Sequence, residues 1–168
     1  MAYFKIDDYT LRISKPYLDQ ILDQATELSG YTADQVLEDA QDTAIAEISA
    51  YLTSRYVIED EFAKDATADP DNRNKMILKC GLDMAIYFIH WTINPRDVPE
   101  LREKAYLSCR EMLAAFRDGE LLLLQPPSTG GVEIRTEEDG GDKRTELNSQ
   151  IKFISKPYSD PANTDMLP

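Results

Sequence analysis

RNKMILKCGLDMAIYFIHW, residues Arg73 to Trp91, decides the fold because apolar residues occupy nearly its whole helical circumference. One set recurs at spacings of three and four residues: Met76, Ile77, Cys80, Met84, Tyr87, Phe88 and Trp91. A second set fills much of the other side: Leu78, Leu82, Ala85, Ile86 and Ile89. Such a helix needs partners on several sides, so the stretch predicts the central helix of a bundle. If the Trp91 ring is buried in that bundle, Trp91→Ala should cost about 3–5 kcal/mol.

Three amphipathic segments supply the expected partners. The first follows Ser14 and ends before Gly30, and the others run from Ala33 to Tyr56 and from Val98 to Arg117. Each carries apolar residues at helical spacing. The pattern predicts a mainly α fold, a bundle of about four helices. The opening residues form either a short extended segment or an irregular lead-in packed on the bundle.

Helix boundaries are predicted from capping residues. Ser14 is a suitable N-cap before Pro16, and Gly30 is a suitable left-handed residue after the same helix. Thr32 and Gln35 have the spacing of a capping box.

Later boundaries follow the same logic. Asp71 is placed to cap the central helix, Asp97 and Glu100 have capping-box spacing, and Gly119 is placed to close the last helix.

The chain changes character after the helices. We predict a helical domain over residues 1–125 and an extended C-terminal arm over residues 126–168. The arm carries two short β-like segments, around Val132 and Ile134 and around Ile151 and Phe153. It has too few apolar residues for a core of its own. The arm is therefore either disordered in the free monomer or ordered by adding strands to a neighbouring sheet.

The composition is strongly acidic, with a formal net charge of -13. Nucleic-acid binding needs clustered Lys and Arg to neutralise phosphates, so a general nucleic-acid binder is not expected. Two interpretations of the charge remain. It serves solubility, or it lines a passage from which DNA phosphates are repelled.

The sequence offers little metal or membrane chemistry. Cys80 and Cys109 lie on predicted helices as small core residues, and two cysteines without a signal peptide suggest a reduced, intracellular site of synthesis. One histidine is too few for a typical zinc site, so no metal or cofactor is expected. Lys79 and Asp83 interrupt the most apolar run, so a soluble protein with no membrane span is predicted.

No catalytic constellation is apparent. Asp7 with Asp8, and the cluster Glu59 to Glu61, are interpreted as solvated loop residues. His90 and Trp91 are interpreted as structural residues at an apolar helix end. Phosphate-binding glycine loops and nucleophile elbows are absent from the sequence, and we expect no enzyme.

Four stretches in order resemble a known family. They are AYFKIDDY at the start, AIAEISAYLTSRY ending at Tyr56, ILKCGLDMAIYFIHW ending at Trp91, and RDVPELREKAYLSCREMLAAFRDGEL from Arg96 to Leu121. The most telling pattern is I-x-x-Y-L-x-x-R-Y, formed by Ile48, Tyr51, Leu52, Arg55 and Tyr56. A second pattern, D-[IV]-A-x-Y-x-[IL], is echoed by Asp83 to Ile89 with Met84 in second place. The chain thus resembles the small head-tail connector or adaptor proteins of tailed bacteriophages, including the Mu-like group.

The resemblance implies a structural virion protein at the head-tail interface, made in the host cytoplasm. It implies a homo-oligomeric ring, commonly a dodecamer, below the portal protein, through which DNA passes without sequence-specific binding. Arms of this family reach adjacent subunits, the portal or other connector and tail proteins. The candidate interface residues are Leu121, Leu123, Val132, Ile134, Ile151 and Phe153. Residues 126–168 form a longer arm than in the shorter members.

Two other functions remain open from the residues alone. One is a small acidic helical binding or inhibitor protein that mimics DNA. Mimicry needs carboxylates in ordered rows, whereas those of the second helix are separated by apolar residues and suit an ordinary solvated face. The other is an enzyme of unfamiliar type around His90 and Trp91.

Overall fold

Six helices build the part of the chain that the structure, a computed structural model, describes, residues 3–123. They are α1 (Ile6–Tyr9), α2 (Lys15–Ser29), α3 (Ala33–Leu52), α4 (Glu59–Phe62), α5 (Lys75–Ile93) and α6 (Glu100–Asp118). The described residues contain no strand, which confirms the mainly α fold. The four long helices are the four predicted ones. The predicted arm and its β segments lie outside the described residues.

Helix α5 is the centre of the bundle, as its apolar circumference predicts. It contacts α2, α3 and α6, and α3 also contacts α2 and α6. The buried residues of α5 occur in every turn from Ile77 to His90. By length and composition α5 could span a membrane, but 61% of its apolar window is buried inside the fold. Packing on several sides accounts for this composition, because each neighbouring helix covers a different part of its surface.

The structure confirms the glycines predicted to end α2 and α6 and the capping box predicted to begin α3. Gly30 and Gly119 end their helices with φ angles of 75° and 82°, the left-handed region that glycine adopts without a Cβ clash. The Thr32 and Gln35 capping box forms, with the Thr32 N–H donating to Gln35 Oε1 at 3.0 Å. Ser14 occupies the N-cap of α2, but its side chain accepts no cap hydrogen bond.

Asn74, and not Asp71, caps α5. Its Oδ1 accepts from the backbone N–H groups of Met76 at 3.0 Å and Ile77 at 3.2 Å. The prediction for Asp71 is wrong because that carboxylate is engaged by Arg73. The cap therefore lies three residues further along the chain.

The predicted capping box of Asp97 and Glu100 does not form. Helix α6 begins at Glu100 with Pro99 at its N-cap and no side-chain cap. In a capping box the Glu100 carboxylate would accept a hydrogen bond from the backbone N–H of Asp97. That N–H donates instead to the carbonyl of Asn94 at 3.1 Å. The Asp97 N–H is therefore used in a turn after α5 and is not available for a capping box.

The N-terminal segment packs on the bundle as an irregular lead-in around α1. Tyr3, Phe4, Tyr9 and Ile13 are buried and belong to the same core cluster as the long helices. The Phe4 ring lies directly over Gly81 of α5, where a Cβ atom would come within 2.6 Å of Phe4 Cε1. A glycine at this point lets the segment approach the central helix closely.

Candidate interaction surfaces

Two of the six candidate interface residues lie in the described part. Leu121 is 47% exposed at the end of α6, and its N–H donates to the Ala115 carbonyl at 3.1 Å. Leu123 is buried and joins the core cluster. The structure therefore presents Leu121, with its exposed neighbour Leu122, to solvent and turns Leu123 inward. Val132, Ile134, Ile151 and Phe153 lie outside the described residues.

An aromatic ladder runs across α5 and α6, formed by Trp91, Tyr87 and Tyr106. The Tyr87 and Tyr106 rings are stacked, with centroids 4.1 Å apart and planes 6° apart. The Trp91 ring lies 6.0 Å from that of Tyr87 and is 48% exposed. Residues 87 and 91 share a helix face because they are four apart. The ladder thus presents three rings along one surface.

Arg110 and Glu47 fix the Tyr106 end of the aromatic ladder. The Tyr106 hydroxyl donates to the Glu47 carboxylate at 3.0 Å, and Arg110 Nε lies 3.2 Å from the same carboxylate. The Arg110 guanidinium lies 5.6 Å from the Tyr106 ring centroid and also donates to the Tyr51 hydroxyl. Burial and the neighbouring Glu47 raise the pKa of Tyr106 to about 12. The hydroxyl therefore remains a hydrogen-bond donor at neutral pH.

The ladder has the composition of a protein-binding surface. Trp, Tyr and Arg are enriched at interface positions where truncation costs the most binding energy. Rings already held by stacking and by Glu47 lose little conformational freedom when a partner docks. Helical periodicity groups Tyr87 with Trp91, but it does not show that their side of α5 is left open. The available signal was the pairing of aromatic or charged residues four apart on each helix, 87 with 91 and 106 with 110.

Trp91→Ala should lower the free energy of unfolding by about 1–2 kcal/mol, because only about half of the ring leaves water on folding. The expectation of a buried Trp91 is wrong, since the described elements leave about half of this side chain exposed. Urea unfolding followed by circular dichroism measures the change. A loss of about 3–5 kcal/mol in the free energy of unfolding, as expected for a buried ring, would contradict the exposed position of Trp91.

Asp8 is a buried partner of Arg73, and its interpretation as a solvated carboxylate is wrong. Arg73 Nη1 donates to Asp8 Oδ2 at 2.6 Å, and Nη2 donates to Oδ1 at 3.2 Å. Nη1 also donates to the Tyr3 carbonyl at 2.7 Å. The bidentate pair ties the N-terminal segment to the start of α5.

Glu61 is also buried, again contrary to the sequence interpretation. Its carboxylate accepts from the Tyr3 hydroxyl at 2.7 Å, from the backbone N–H of Asn74 and from Lys64. Burial and the Glu61 charge raise the pKa of the Tyr3 hydroxyl well above its usual value. Glu61 thus joins α4, the N-terminal segment and the start of α5 through one side chain.

His90 is buried near the end of α5. Its ring lies 6.0 Å from that of Tyr17, and its Nε2 has no hydrogen-bond partner among the described residues. Burial and the nearby Arg102 charge lower the pKa of His90. The fold therefore favours the neutral imidazole.

His90→Gln should make stability less sensitive to mild acid. Because the folded pKa lies below the unfolded value, the unfolded chain binds the proton first. The stability that neutral His90 contributes is present above its unfolded pKa and is lost as the pH falls through the folded pKa. Urea unfolding at pH 7.5 and pH 5 should show a larger loss in the wild type than in the Gln variant. Equal losses would contradict a depressed His90 pKa.

Cys80 and Cys109 are buried free thiols, as predicted. The hydrogen bond to Cys109 and burial raise the pKa of Cys80. Among residues 3–123, no three His, Cys, Asp or Glu side chains are grouped so as to hold a metal ion.

The residues that carry the family pattern form part of the core. Ile48, Leu52 and Tyr56 are buried on one side of α3 and its C-terminal turn. Arg55 of the same pattern lies beside Gly119, so a Cβ there would meet its guanidinium. The pattern therefore reflects the residues through which α3 packs against the rest of the bundle.

A family model described as Bacteriophage Mu, Gp36 matches residues 3–135. No curated protein and no solved structure matches the chain. The matched range spans well over half of the 168 residues and includes every described residue. Its end at 135 lies beyond the boundary at residue 125 that the sequence suggested. The chain therefore belongs to the Bacteriophage Mu Gp36 family and is a phage protein.

Proposed function

We propose that this protein is a head-tail connector, a structural virion protein that forms a ring below the portal and surrounds the path of the DNA. The family match over residues 3–135 carries the proposal. The ring is homo-oligomeric, with a dodecamer as the expected form, and it lies at the head-tail interface of the virion. The proposal gives the chain no catalytic role and no cofactor.

The aromatic ladder and the exposed leucines support an assembly role. A ring subunit must contact two neighbours and at least one further connector protein, so it needs anchors outside its own core. Trp91 and Leu121 are large apolar side chains that remain about half exposed after folding. In the proposed assembly they pack against the portal, other connector or tail proteins, or an adjacent subunit, as the arm at 126–168 also does.

The acidic composition supports passage of DNA without adhesion. A formal charge of -13 repels phosphates, so a DNA duplex inside the ring meets few counter-charges that would hold it. This role needs no base contacts and no sequence preference. Repulsion between the acidic side chains and the phosphates also explains how an acidic protein can surround DNA without binding it.

The test is association with the portal protein encoded in the same genome. Light scattering and negative-stain microscopy of the protein, alone and mixed with portal, should reveal a ring or a ring-shaped complex. Trp91→Ala should weaken that association by about tenfold or more, as expected for an aromatic anchor. Leu28→Ala, an exposed apolar residue of α2 away from the ladder, is the matched control and should associate like the wild type. A monomer that ignores portal would overturn the proposal.

One observation favours the second candidate, an acidic protein that mimics DNA. Asp34, Glu38 and Asp42 are exposed on α3 at successive intervals of four residues, which aligns them on one side of the helix. This is the kind of ordered row that mimicry needs and that the sequence interpretation did not recognise. Stoichiometric binding to a host DNA-binding protein, with no binding to portal, would favour this candidate.

A further inference from the structure

The Cys109 thiol of α6 lies against a charged turn of α5. Its Sγ is 3.9 Å from Lys79 Nζ and 4.0 Å from Asp83 Oδ2, and the Lys79 ammonium pairs with the same carboxylate at 3.2 Å. Arg12, in the turn before α2, reaches Asp83 Oδ1 at 3.8 Å, and its Nε has no hydrogen-bond partner among the described residues. The thiol therefore lies beside a carboxylate that two cations share.

Cys80 belongs to the same turn of α5. Residues three apart are neighbours on a helix, so Cys80 lies next to Asp83, and Lys79 precedes it in the chain. The Cys80 and Cys109 thiols are hydrogen-bonded to each other, and both are buried. They are also the only two cysteines of the chain. A single S–S bond between them would join α5 to α6.

The two thiols differ in how readily they lose a proton. The hydrogen bond with Cys80 and the charge of Lys79 lower the pKa of Cys109, although burial opposes this effect. The same hydrogen bond and burial raise the pKa of Cys80. The thiolate is the nucleophilic form of cysteine, so Cys109 is the thiol that can attack first. Cys80 is held protonated beside it.

The Lys79 side chain connects this buried pair to solvent. It is 36% exposed, and its ammonium contacts Cys109 Sγ. Rotation of this one flexible side chain opens a path to the sulfur for a molecule little larger than water. Hydrogen peroxide is of that size.

We propose that Cys80 and Cys109 are an oxidation site for hydrogen peroxide, which converts them to a disulfide between α5 and α6. The Cys109 thiolate attacks one peroxide oxygen, the O–O bond breaks, and the released hydroxide takes up a proton to become water. The product is the sulfenic acid of Cys109. The Cys80 sulfur then attacks the Cys109 sulfur, and the hydroxide that leaves combines with the Cys80 proton as a second water. In total the two thiols give two electrons to one peroxide.

The disulfide would tie together the two helices that carry the aromatic ladder, because Tyr87 and Trp91 lie on α5 and Tyr106 lies on α6. In the proposed function the chain is made in the host cytoplasm, where thiols are kept reduced, and leaves it with the virion for surroundings in which disulfides persist. Oxidation would then follow assembly. The chemistry itself depends on the contacts within this subunit and not on the connector role.

Peroxide treatment of the reduced full-length protein tests the proposal. After the peroxide is removed, free thiols are alkylated in urea and the protein is analysed by mass spectrometry. The wild type should lose both alkylation sites together, and the unalkylated chain should be lighter by about 2 Da, the mass of the two hydrogens removed. It should run as a single chain on a non-reducing denaturing gel. A reductant should restore both alkylation sites.

Substitutions assign the roles of the two thiols and of the lysine. Cys80→Ala should stop the reaction at the Cys109 sulfenic acid, which dimedone traps, whereas Cys109→Ala should leave Cys80 reduced. Lys79→Met keeps most of the side-chain length without the charge and should slow the oxidation by about tenfold, as expected when the thiol pKa rises by about one unit. Lys75→Met, an exposed lysine one turn earlier on α5, is the matched control and should react like the wild type.

Four results would overturn the proposal: wild-type thiols that remain open to alkylation after peroxide, disulfides between chains, equal oxidation of the two single-cysteine variants, or Lys79→Met that reacts at the wild-type rate. Reaction through the unfolded chain would give equal oxidation of the two variants, because unfolding exposes both thiols alike. The wild-type measurement needs no substitution, so it tests the disulfide even where a variant folds poorly. It also uses no portal protein, so its outcome is independent of the portal test.

Discussion

Arg73→Met should lower the free energy of unfolding by about 3–5 kcal/mol, the range for breaking a buried ion pair by removing one partner. The Arg73 side chain is 1% exposed, and its guanidinium contacts Asp8, Asp71 and the Tyr3 carbonyl. Methionine fills much of the same volume but leaves the Asp8 carboxylate buried without a counter-charge. Urea unfolding at pH 7 measures the loss.

A double variant separates the charge from the packing. Asp8→Leu combined with Arg73→Met removes both charges, and an apolar pair in place of a buried ion pair is often close to neutral. The double variant should therefore be more stable than Arg73→Met alone. The two single variants, Asp8→Leu and Arg73→Met, are measured for comparison. If the double variant lowers the free energy of unfolding by the sum of the two single effects, the ion pair contributes nothing beyond side-chain volume.

The same substitution should change the response to acid. Hydrogen bonds from Arg73 hold the pKa of Asp71 well below its usual range. A carboxyl group whose pKa is lower in the folded protein than in the unfolded chain stabilises the fold at pH values above its unfolded pKa. This stabilisation is lost as the pH falls through its folded pKa. Since Arg73→Met removes the main cause, the stability gap between wild type and variant should narrow as the pH falls below the ordinary carboxyl range.

The helices were predictable because their signals are local. The capping box of Thr32 and Gln35 and the left-handed residues Gly30 and Gly119 act within one turn of chain, so the sequence alone locates them. The all-round apolar pattern of α5 likewise predicts a central position, because several neighbours are needed to cover it.

The buried carboxylates were not predictable from local sequence. Asp8 is matched by Arg73, 65 residues away, and Glu61 is matched by Tyr3, 58 residues away. Either carboxylate would be solvated without that partner, and nothing in the neighbouring residues specifies it. Burial of a charge depends on tertiary contacts that compensate its desolvation.

Trp91 shows a different limit. Helical periodicity correctly groups it with Tyr87 on one side of α5, but it does not say whether another helix covers that side. In the described structure α6 supplies Tyr106 to the Tyr87 ring and leaves Trp91 half exposed. The candidate interface thus became visible only when the faces left open by neighbouring helices were known.

Gly81→Ala should destabilise the fold by about 1–3 kcal/mol, the usual cost of inserting a carbon into a packed core. Helix propensity alone predicts the opposite sign, since Ala is favoured over Gly by about 1 kcal/mol in a helix interior. A Cβ at position 81 would overlap the Phe4 ring, and that ring is 3% exposed and held among core residues. The clash is therefore expected to outweigh the propensity. Urea unfolding measures the net change.

Removing the ring should reverse the sign. In a Phe4→Ala background the space over residue 81 is open, so Gly81→Ala should then stabilise the fold by up to about 1 kcal/mol. Phe4→Ala alone is expected to cost about 3–5 kcal/mol, and the cycle compares the effect of Gly81→Ala with and without the ring. Gly81→Ala that stabilises both backgrounds equally would mean that Phe4 does not rest on Gly81. A sign that depends on Phe4 would establish that close approach of the N-terminal segment to α5 is why glycine occupies the middle of the central helix.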